Sequence, residues 1–286
     1  PDVEDINFAM GETMSITSDA SRWRYAGAFF RLNYSYDNRY LFEVNGRYDG
    51  SSKFPNNSQW GFFPSASAAW RLSEERFWKV DPKFLSNVKL RMSYGALGNS
   101  NVNPYSYLEK FSLSTFSTTG TSTDGRYLDG SAKLRYTKNP SQIPDNIGWE
   151  TSKTVDVGID LGFLHNKITL SADYYVRKTI DMYTVGPTLP DTFGASSPKG
   201  NYADMSTYGY EISLGYNDSF KLADRPLSFG VKVTLADYYS VIDKYNNPTR
   251  DLDDYYVGQR IGEIWGYVCN GLFQSQDAID TAFNGK

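Results

Sequence analysis

The chain has 286 residues, with 29 Lys and Arg against 33 Asp and Glu, and a net charge of −4 argues against a general nucleic-acid binder. Its one cysteine, Cys269, cannot close an internal disulfide, and its one histidine, His165, stands without the cluster that a zinc site or a Ser-His-Asp arrangement needs. No stretch approaches the roughly 18 apolar residues of a membrane helix, yet 16% of the residues are aromatic and 23 are Tyr, more than an ordinary core requires.

Residues 1–22 are polar and patternless and read as loop. From Arg24 to Tyr36, Ala26, Ala28, Phe30, Leu32, Tyr34 and Tyr36 line one face of a predicted strand. Asp37-Asn38 is a tight-hairpin signal. In the next strand, 39–49, Tyr40, Phe42, Val44, Gly46 and Tyr48 oppose Arg39, Glu43, Asn45, Arg47 and Asp49. A Ser/Asn/Pro loop, 50–59, leads to a strand over 60–72, whose Pro64 predicts an unpaired or bulged upper end. Ser73-Glu74-Glu75-Arg76-Phe77-Trp78 suits a short capped helical turn. The strand around Val88–Ala96 is followed by a polar break of about 50 residues, 98–148. Alternation resumes at 154–163 and, after a turn at His165, at 168–177. A Pro/Gly-rich loop is expected over 179–206 and a turn over Asn217–Pro226. They separate strands around Tyr208–Tyr216 and Leu227–Leu235, and loop is expected again from about 240.

The pattern is all-β and antiparallel: about eight strands, several of them about 11–13 residues long, which is what a tilted strand needs to cross a bilayer. Connections alternate short and long, as periplasmic turns and extracellular loops do in outer-membrane barrels. Tyr40 and Tyr48, and likewise Tyr208 and Tyr216, lie eight residues apart on the apolar face, roughly 20 Å along the membrane normal and near the spacing of two aromatic girdles. A soluble β-sandwich with aromatic core faces is the alternative, and it leaves the loop alternation unexplained. The opposite faces carry Arg31, Glu43, Arg47, Arg71, Lys89, Arg91, Asp156, Asp160, Asp173, Arg177, Glu211 and Lys232. A wide wet lumen accommodates such charges. A closed eight-stranded barrel, the structural alternative, would have to pair nearly all of them.

Six segments carry a family resemblance. They are Arg47-Tyr48-Asp49-Gly50-Ser51-Ser52-Lys53-Phe54; Trp60-Gly61-Phe62-Phe63-Pro64-Ser65 running into Trp70-Arg71-Leu72-Ser73-Glu74-Glu75; Leu90-Arg91-Met92-Ser93-Tyr94-Gly95 with Gly98-Asn99; Trp149-Glu150-Thr151 leading to Gly158-Ile159-Asp160-Leu161-Gly162; Gly209-Tyr210-Glu211-Ile212-Ser213-Leu214; and Gly262-Glu263-Ile264-Trp265-Gly266-Tyr267 with Gly271-Leu272-Phe273. In this order they resemble the SusC/RagA family of TonB-dependent outer-membrane transporters. The resemblance implies that residues 1–286 are part of a transmembrane β-barrel domain of about 22 strands, with the plug domain, TonB box and closing strands absent. The start at Pro1, without initiator Met or signal peptide, implies a mature or truncated product.

The resemblance implies TonB-dependent import of a large nutrient, a glycan or a peptide, by a multi-pass protein of the outer membrane, with no enzymatic activity and no cofactor. The implied partners are a SusD-like surface lipoprotein, the TonB complex, the cargo, and outer-membrane lipid with lipopolysaccharide. A small structural or adhesive outer-membrane barrel is the alternative function, and a soluble glycan-binding module a third. If the cargo is a sugar, loop aromatics should stack on it. Tyr105, Tyr107, Tyr127, Tyr136 and Trp265 are the candidates, with packing or partner contact as the competing role for each. Asp124, Asp129, Asp251, Asp253 and Asp254 lack the spacing of a calcium loop, so no metal site is expected.

Overall fold

The structure is a computed structural model that describes residues 20–111, 113–115, 135–137, 142–144, 146–187, 189–190, 192, 197–222, 225–247, 254–269 and 271–283. Ten strands are described: β1 (Tyr25–Tyr36), β2 (Tyr40–Ser51), β3 (Trp60–Arg71), β4 (Asn87–Asn99), β5 (Leu113–Thr115), β6 (Arg135–Thr137), β7 (Glu150–Phe163), β8 (Ile168–Val185), β9 (Lys199–Leu222) and β10 (Arg225–Lys244). Eight form one sheet in the order β1-β2-β3-β4-β7-β8-β9-β10, every pairing antiparallel. The eight expected strands are therefore present, each hydrogen-bonded to its neighbour in sequence. The sheet is open, because β1 is not paired to β10. Strands β5 and β6 form a separate two-stranded ribbon within the long break.

The hairpin at Asp37-Asn38 forms, with Arg39 added to the turn between the paired Tyr36 and Tyr40: Asp37 and Asn38 have positive φ, 50° and 54°, matching the right-handed twist of the flanking strands. The turn at Leu164-His165-Asn166 uses the same device, with φ of 52°, 59° and 64°. Pro64 also behaves as its chemistry requires. It is opposite Gly46 on β2, while β3–β4 pairing begins only at Ser65. With no N–H to give, Pro64 marks the point above which β3 and β4 part.

Four expectations about boundaries are corrected. The Pro/Gly-rich segment 179–206 is not one loop, since β8 runs to Val185 and β9 starts at Lys199. Two bulges, between Thr179 and Met182 and between Met182 and Tyr183, break the period-two pattern there, and Asp181 takes φ 55°. The turn expected over Asn217–Pro226 is largely strand, since β9 runs to Leu222 and β10 starts at Arg225. Asn217, Asp218, Ser219 and Phe220 pair instead with Gly230, Phe229, Ser228 and Leu227. Beyond 240, β10 continues to Lys244, and a helix α1 (Gln276–Phe283) follows near the end. After β3 there is only a 3-10 turn, Leu72–Glu74, with no side-chain cap. Glu75 is engaged elsewhere: its carboxylate accepts from Tyr40 Oη at 2.5 Å, Trp70 Nε1 at 2.9 Å and Arg39 Nη1 at 3.3 Å.

The two faces of the sheet differ as the alternation demands. The apolar rows are not covered: Leu32 is 67% exposed, Met92 57%, Val157 53% and Val233 61%. A soluble monomer rarely leaves so long an apolar surface open. Aromatic pairs bracket these rows at both ends. Tyr40 stacks on Trp70 at 6.4 Å and Tyr216 meets Phe229 at 5.7 Å at one end. Tyr48 stacks on Trp60 at 5.0 Å and Tyr208 on Tyr239 at 5.3 Å at the other. The eight-residue Tyr spacing thus becomes two aromatic belts. Asp237 is the exception on the apolar face of β10, opposite Tyr210 and two residues beyond Leu235. The small buried core lies at the loop end, where Phe54, Val102 and Ile147 pack with Tyr107, Trp149 and Tyr183. Among the described residues no helix is long and apolar enough to cross a membrane.

Candidate functional site

The polar face is organised around Arg91 on β4. Its register partner on β7 is Gly158, whose own partner on β8 is Asp173. A Cβ at Gly158 would lie 2.1 Å from an Asp173 oxygen and 2.8 Å from Arg91 Nη2, so glycine opens the space the guanidinium crosses. Arg91 donates through Nε and Nη2 to both oxygens of Asp160, at 2.8 and 2.9 Å, which is the two-pronged match of a planar guanidinium to a carboxylate. It also reaches Ser171 Oγ at 3.0 Å and Asp173 at 2.9 and 3.1 Å. One cation thus ties three strands together, with side chains still about a quarter exposed. Arg31 and Glu43 pair at 2.7 Å on the same face, and Arg47 grips Asp49 through two bonds of 3.0 Å.

Two shallow depressions lie along the sheet. One, of 440 Å³, is lined on its polar side by Asn33, Glu43, Ser67, Lys89, Arg91 and Asp156. The other, of 530 Å³, is lined by Asn87, Asp160, Thr169, Ser171, Ser213 and Lys232. Short hydroxyls and amides alternate there with charges of both signs. Such a lining offers hydrogen bonds to a polar solute without a single strong anchor. The sequence pattern placed these charges on one face; the pairing of Arg91 with Asp160 and Asp173 escaped it, because it depends on register across strands more than 60 residues apart. The signal available was the Gly158 gap in an otherwise bulky charged row.

At the loop end, Met182, Ala203, Met205, Ile242, Tyr255 and Ile261 contribute to a small apolar pocket of 160 Å³. The segment that closes it folds back on β10 through Ile261 N–H to Ser240 O at 2.9 Å and Ile242 N–H to Gln259 O at 3.0 Å. Burial pushes the neighbouring Tyr245 phenol up to about 12, with the hydrogen bond and charge of Asp254 adding to it, and its hydroxyl donates to Val185 O at 3.3 Å. The sequence reading assigned this region to loops and did not find the pocket.

The five candidate aromatics are not brought into one cluster. Tyr105, at φ 65°, accepts from Arg22 N–H at 3.1 Å and donates to Arg22 O at 3.0 Å, with Lys110 Nζ 5.5 Å from its ring centre. It clasps the chain leading into β1. Tyr107 packs on the Phe54 core. Tyr136 lies in β6 with its side chain outside the described residues, and Tyr127 lies outside them altogether, as do Asp124, Asp129, Asp251 and Asp253. Trp265 is 58% exposed in an open apolar segment with Ile264, Tyr267 and Leu272.

This architecture has close counterparts. The family model described as TonB dependent receptor-like, beta-barrel, matches residues 5–264. A TonB-dependent receptor of Formosa agariphila is 31% identical over 279 residues, 92% of this chain and 26% of that protein. The TonB-dependent receptor SusC of Bacteroides thetaiotaomicron is 31% identical over 283 residues, 94% of this chain and 26% of SusC. The RagAB peptide transporter superposes with a TM-score of 0.66 at 21% identity over 83% of this chain and 24% of that one, which supports the fold. The chain spans about a quarter of the length of these relatives. Its apolar rows therefore face outer-membrane lipid and its charged rows the barrel interior, and the chain belongs to the TonB-dependent receptor β-barrel family, in its SusC/RagA branch.

Proposed function

We propose that this segment forms wall, lumen lining and extracellular loops of a transporter that imports a large polar nutrient, a glycan or a peptide, across the outer membrane. Its energy would come from TonB, acting through a plug domain outside this chain, and a SusD-like lipoprotein would close the extracellular mouth. The observation that carries the reading is the polar face itself. Arg91, Asp160, Asp173 and Ser171 are partnered yet remain open to water, and Lys89 and Lys232 line the depressions beside them, as a lumen passed by a hydrated cargo requires. A purely adhesive barrel has no need of such a lining. The relatives leave the cargo class open, since one structural neighbour is a peptide transporter and SusC is named only as a receptor. On this reading the long segments 50–59, 98–148, 186–198 and 245–286 lie outside the cell, with Trp265 in the exposed stretch facing cargo or lid.

The test is uptake by cells carrying the full-length protein, offered fluorescent oligosaccharide and oligopeptide pools. Uptake of one pool that stops on deletion of the protein, and equally on deletion of TonB, is expected. Unchanged accumulation of both pools after either deletion sinks the transport reading. In the same cells, exposed Cys269 should react with an impermeant maleimide once any covering lipoprotein is removed, whereas a thiol at Asn166 in a Cys269→Ser background should not. The reverse labelling would invert the sidedness.

A further inference from the structure

One pair on the lipid-facing side is unexplained by burial or by pairing within the sheet. Lys153 on β7 and Lys178 on β8 are direct register partners, two residues beyond the outward pair Val155 and Val176. Strand alternation therefore points both ammonium groups outward, and both residues are exposed. Directly opposed residues hold their Cβ atoms about 4.5–5.5 Å apart, and like charges so placed destabilise a sheet. Among the described residues no hydrogen bond, ion pair or ring contact engages either side chain.

Other cations at this end are handled differently. Lys244 is opposed in register by Asp204. Lys53 lies 5.5 Å from the Trp23 ring centre and 5.9 Å from that of Tyr25, and Arg260 lies 4.5 Å from that of Tyr239. The level of the lysine pair is also informative. The Val155–Val176 row continues in register to Tyr208 and Tyr239, the stacked pair of the outer aromatic belt. The lysines stand one outward step above it, about 6–7 Å along the strand, where hydrocarbon gives way to headgroups. Their row neighbours, Ala96 and Ser206, are short and buried, and the Ser206 hydroxyl is engaged by the Asp243 carboxylate.

We propose that Lys153 and Lys178 form a binding site for a phosphate group on an outer-leaflet lipid headgroup. A phosphate between two ammonium groups converts their repulsion into two charge-assisted hydrogen bonds, while the aliphatic stems run along the sheet toward the headgroup layer. The site depends on the outer-membrane location and not on which cargo is carried.

The test is a double-substitution cycle in the full-length protein in maltoside detergent: Lys153→Gln, Lys178→Gln and both together. The probes are lipid A, dephosphorylated lipid A and inorganic phosphate, and a heat-shifted gel band confirms that each variant is folded. Lipid A should bind about five-fold more weakly for each lysine removed, the effect of one basic residue at an anionic membrane surface. Dephosphorylated lipid A should be indifferent to the substitutions. The coupling between the lysines, read from thermal unfolding, should be unfavourable in detergent alone and favourable with lipid A. Equal lipid A affinity for the native protein and the double variant overturns the proposal. So does a coupling that keeps its sign, or an inorganic phosphate effect matching that of lipid A.

Discussion

The two faces of this one sheet solve opposite problems with the same strands. On β7, Val157 projects into lipid and Asp156, its immediate neighbour, into the lumen. On the lipid face the apolar rows lie open, and aromatic belts at either end set the position of the sheet against the bilayer. On the lumen face Arg31 pairs with Glu43, Arg47 with Asp49 and Arg91 with Asp160 and Asp173, and glycine supplies the space for the longest reach. The difference teaches that stability here does not come from one buried core. It comes from backbone ladders in a medium with no competing water, from lipid contact outside, and from cross-strand ion pairs inside.

The sharpest way to break the comparison is to put a charge on the wrong face. Val157→Arg should cost about 2–4 kcal/mol, the penalty for Arg near the midplane, and should strip the full-length protein from the outer membrane. Asp156→Asn, one residue away, should assemble at native levels. Equal assembly of both, measured as heat-modifiable protein in outer-membrane fractions, would remove the distinction between the faces.

A smaller effect is expected inside. Arg91→Ala leaves the Asp160 and Asp173 carboxylates facing each other without their cation. In a dry interior this would cost roughly 3–5 kcal/mol. The Arg91 side chain is 27% exposed, so lumen water softens the loss to about 1–2 kcal/mol, read from unfolding in denaturant. Asp160→Asn in the Arg91→Ala background should recover part of it. If the double variant is no better than the single, the pair is not coupled.

The smallest effect concerns the end of the sheet with the short turns. The Tyr40 hydroxyl, Trp70 N–H and nearby Arg39 hold the Glu75 carboxyl below the usual carboxylate range. A depressed folded value means that Glu75 contributes in full above the ordinary value of about 4.3, and loses that contribution as pH falls below it through the lowered value. Glu75→Gln should therefore flatten acid stability below about pH 4.5 and leave the slope near neutrality unchanged. A variant as acid-labile as the native protein would show that Glu75 is not the group titrating there.

Where alternation is strict, the sequence carried most of the fold. Tyr40–Tyr48, Val155–Phe163 and Tyr208–Tyr216 are legible because only one register keeps Tyr and Val on one side and Asp and Arg on the other. Above Thr179 the bulges at β8 and β9 change the parity, and pairs such as Tyr183 with Asn201 could not be read from spacing. Asn217-Asp218-Ser219 has the composition of a turn, yet its pairing with β10 and the contacts of Tyr216 and Phe220 with Phe229 keep it extended. The candidate aromatics show the same limit from the side of function. A loop tyrosine reads alike whether it meets a sugar or a backbone, and the partner of Tyr105, Arg22, lies 83 residues away.

The central claim, that odd-numbered positions of β7 meet lipid and even-numbered ones meet lumen water, can be measured position by position. Single nitroxide labels at 154 to 157 and 159 to 161 in the reconstituted full-length protein should alternate with period two, Gly158 being left native because a side chain there meets Arg91 and Asp173. Positions 155, 157, 159 and 161 should be relaxed by oxygen, and 154, 156 and 160 by a water-soluble nickel complex. Uniform accessibility, or alternation of the opposite phase, would contradict the account.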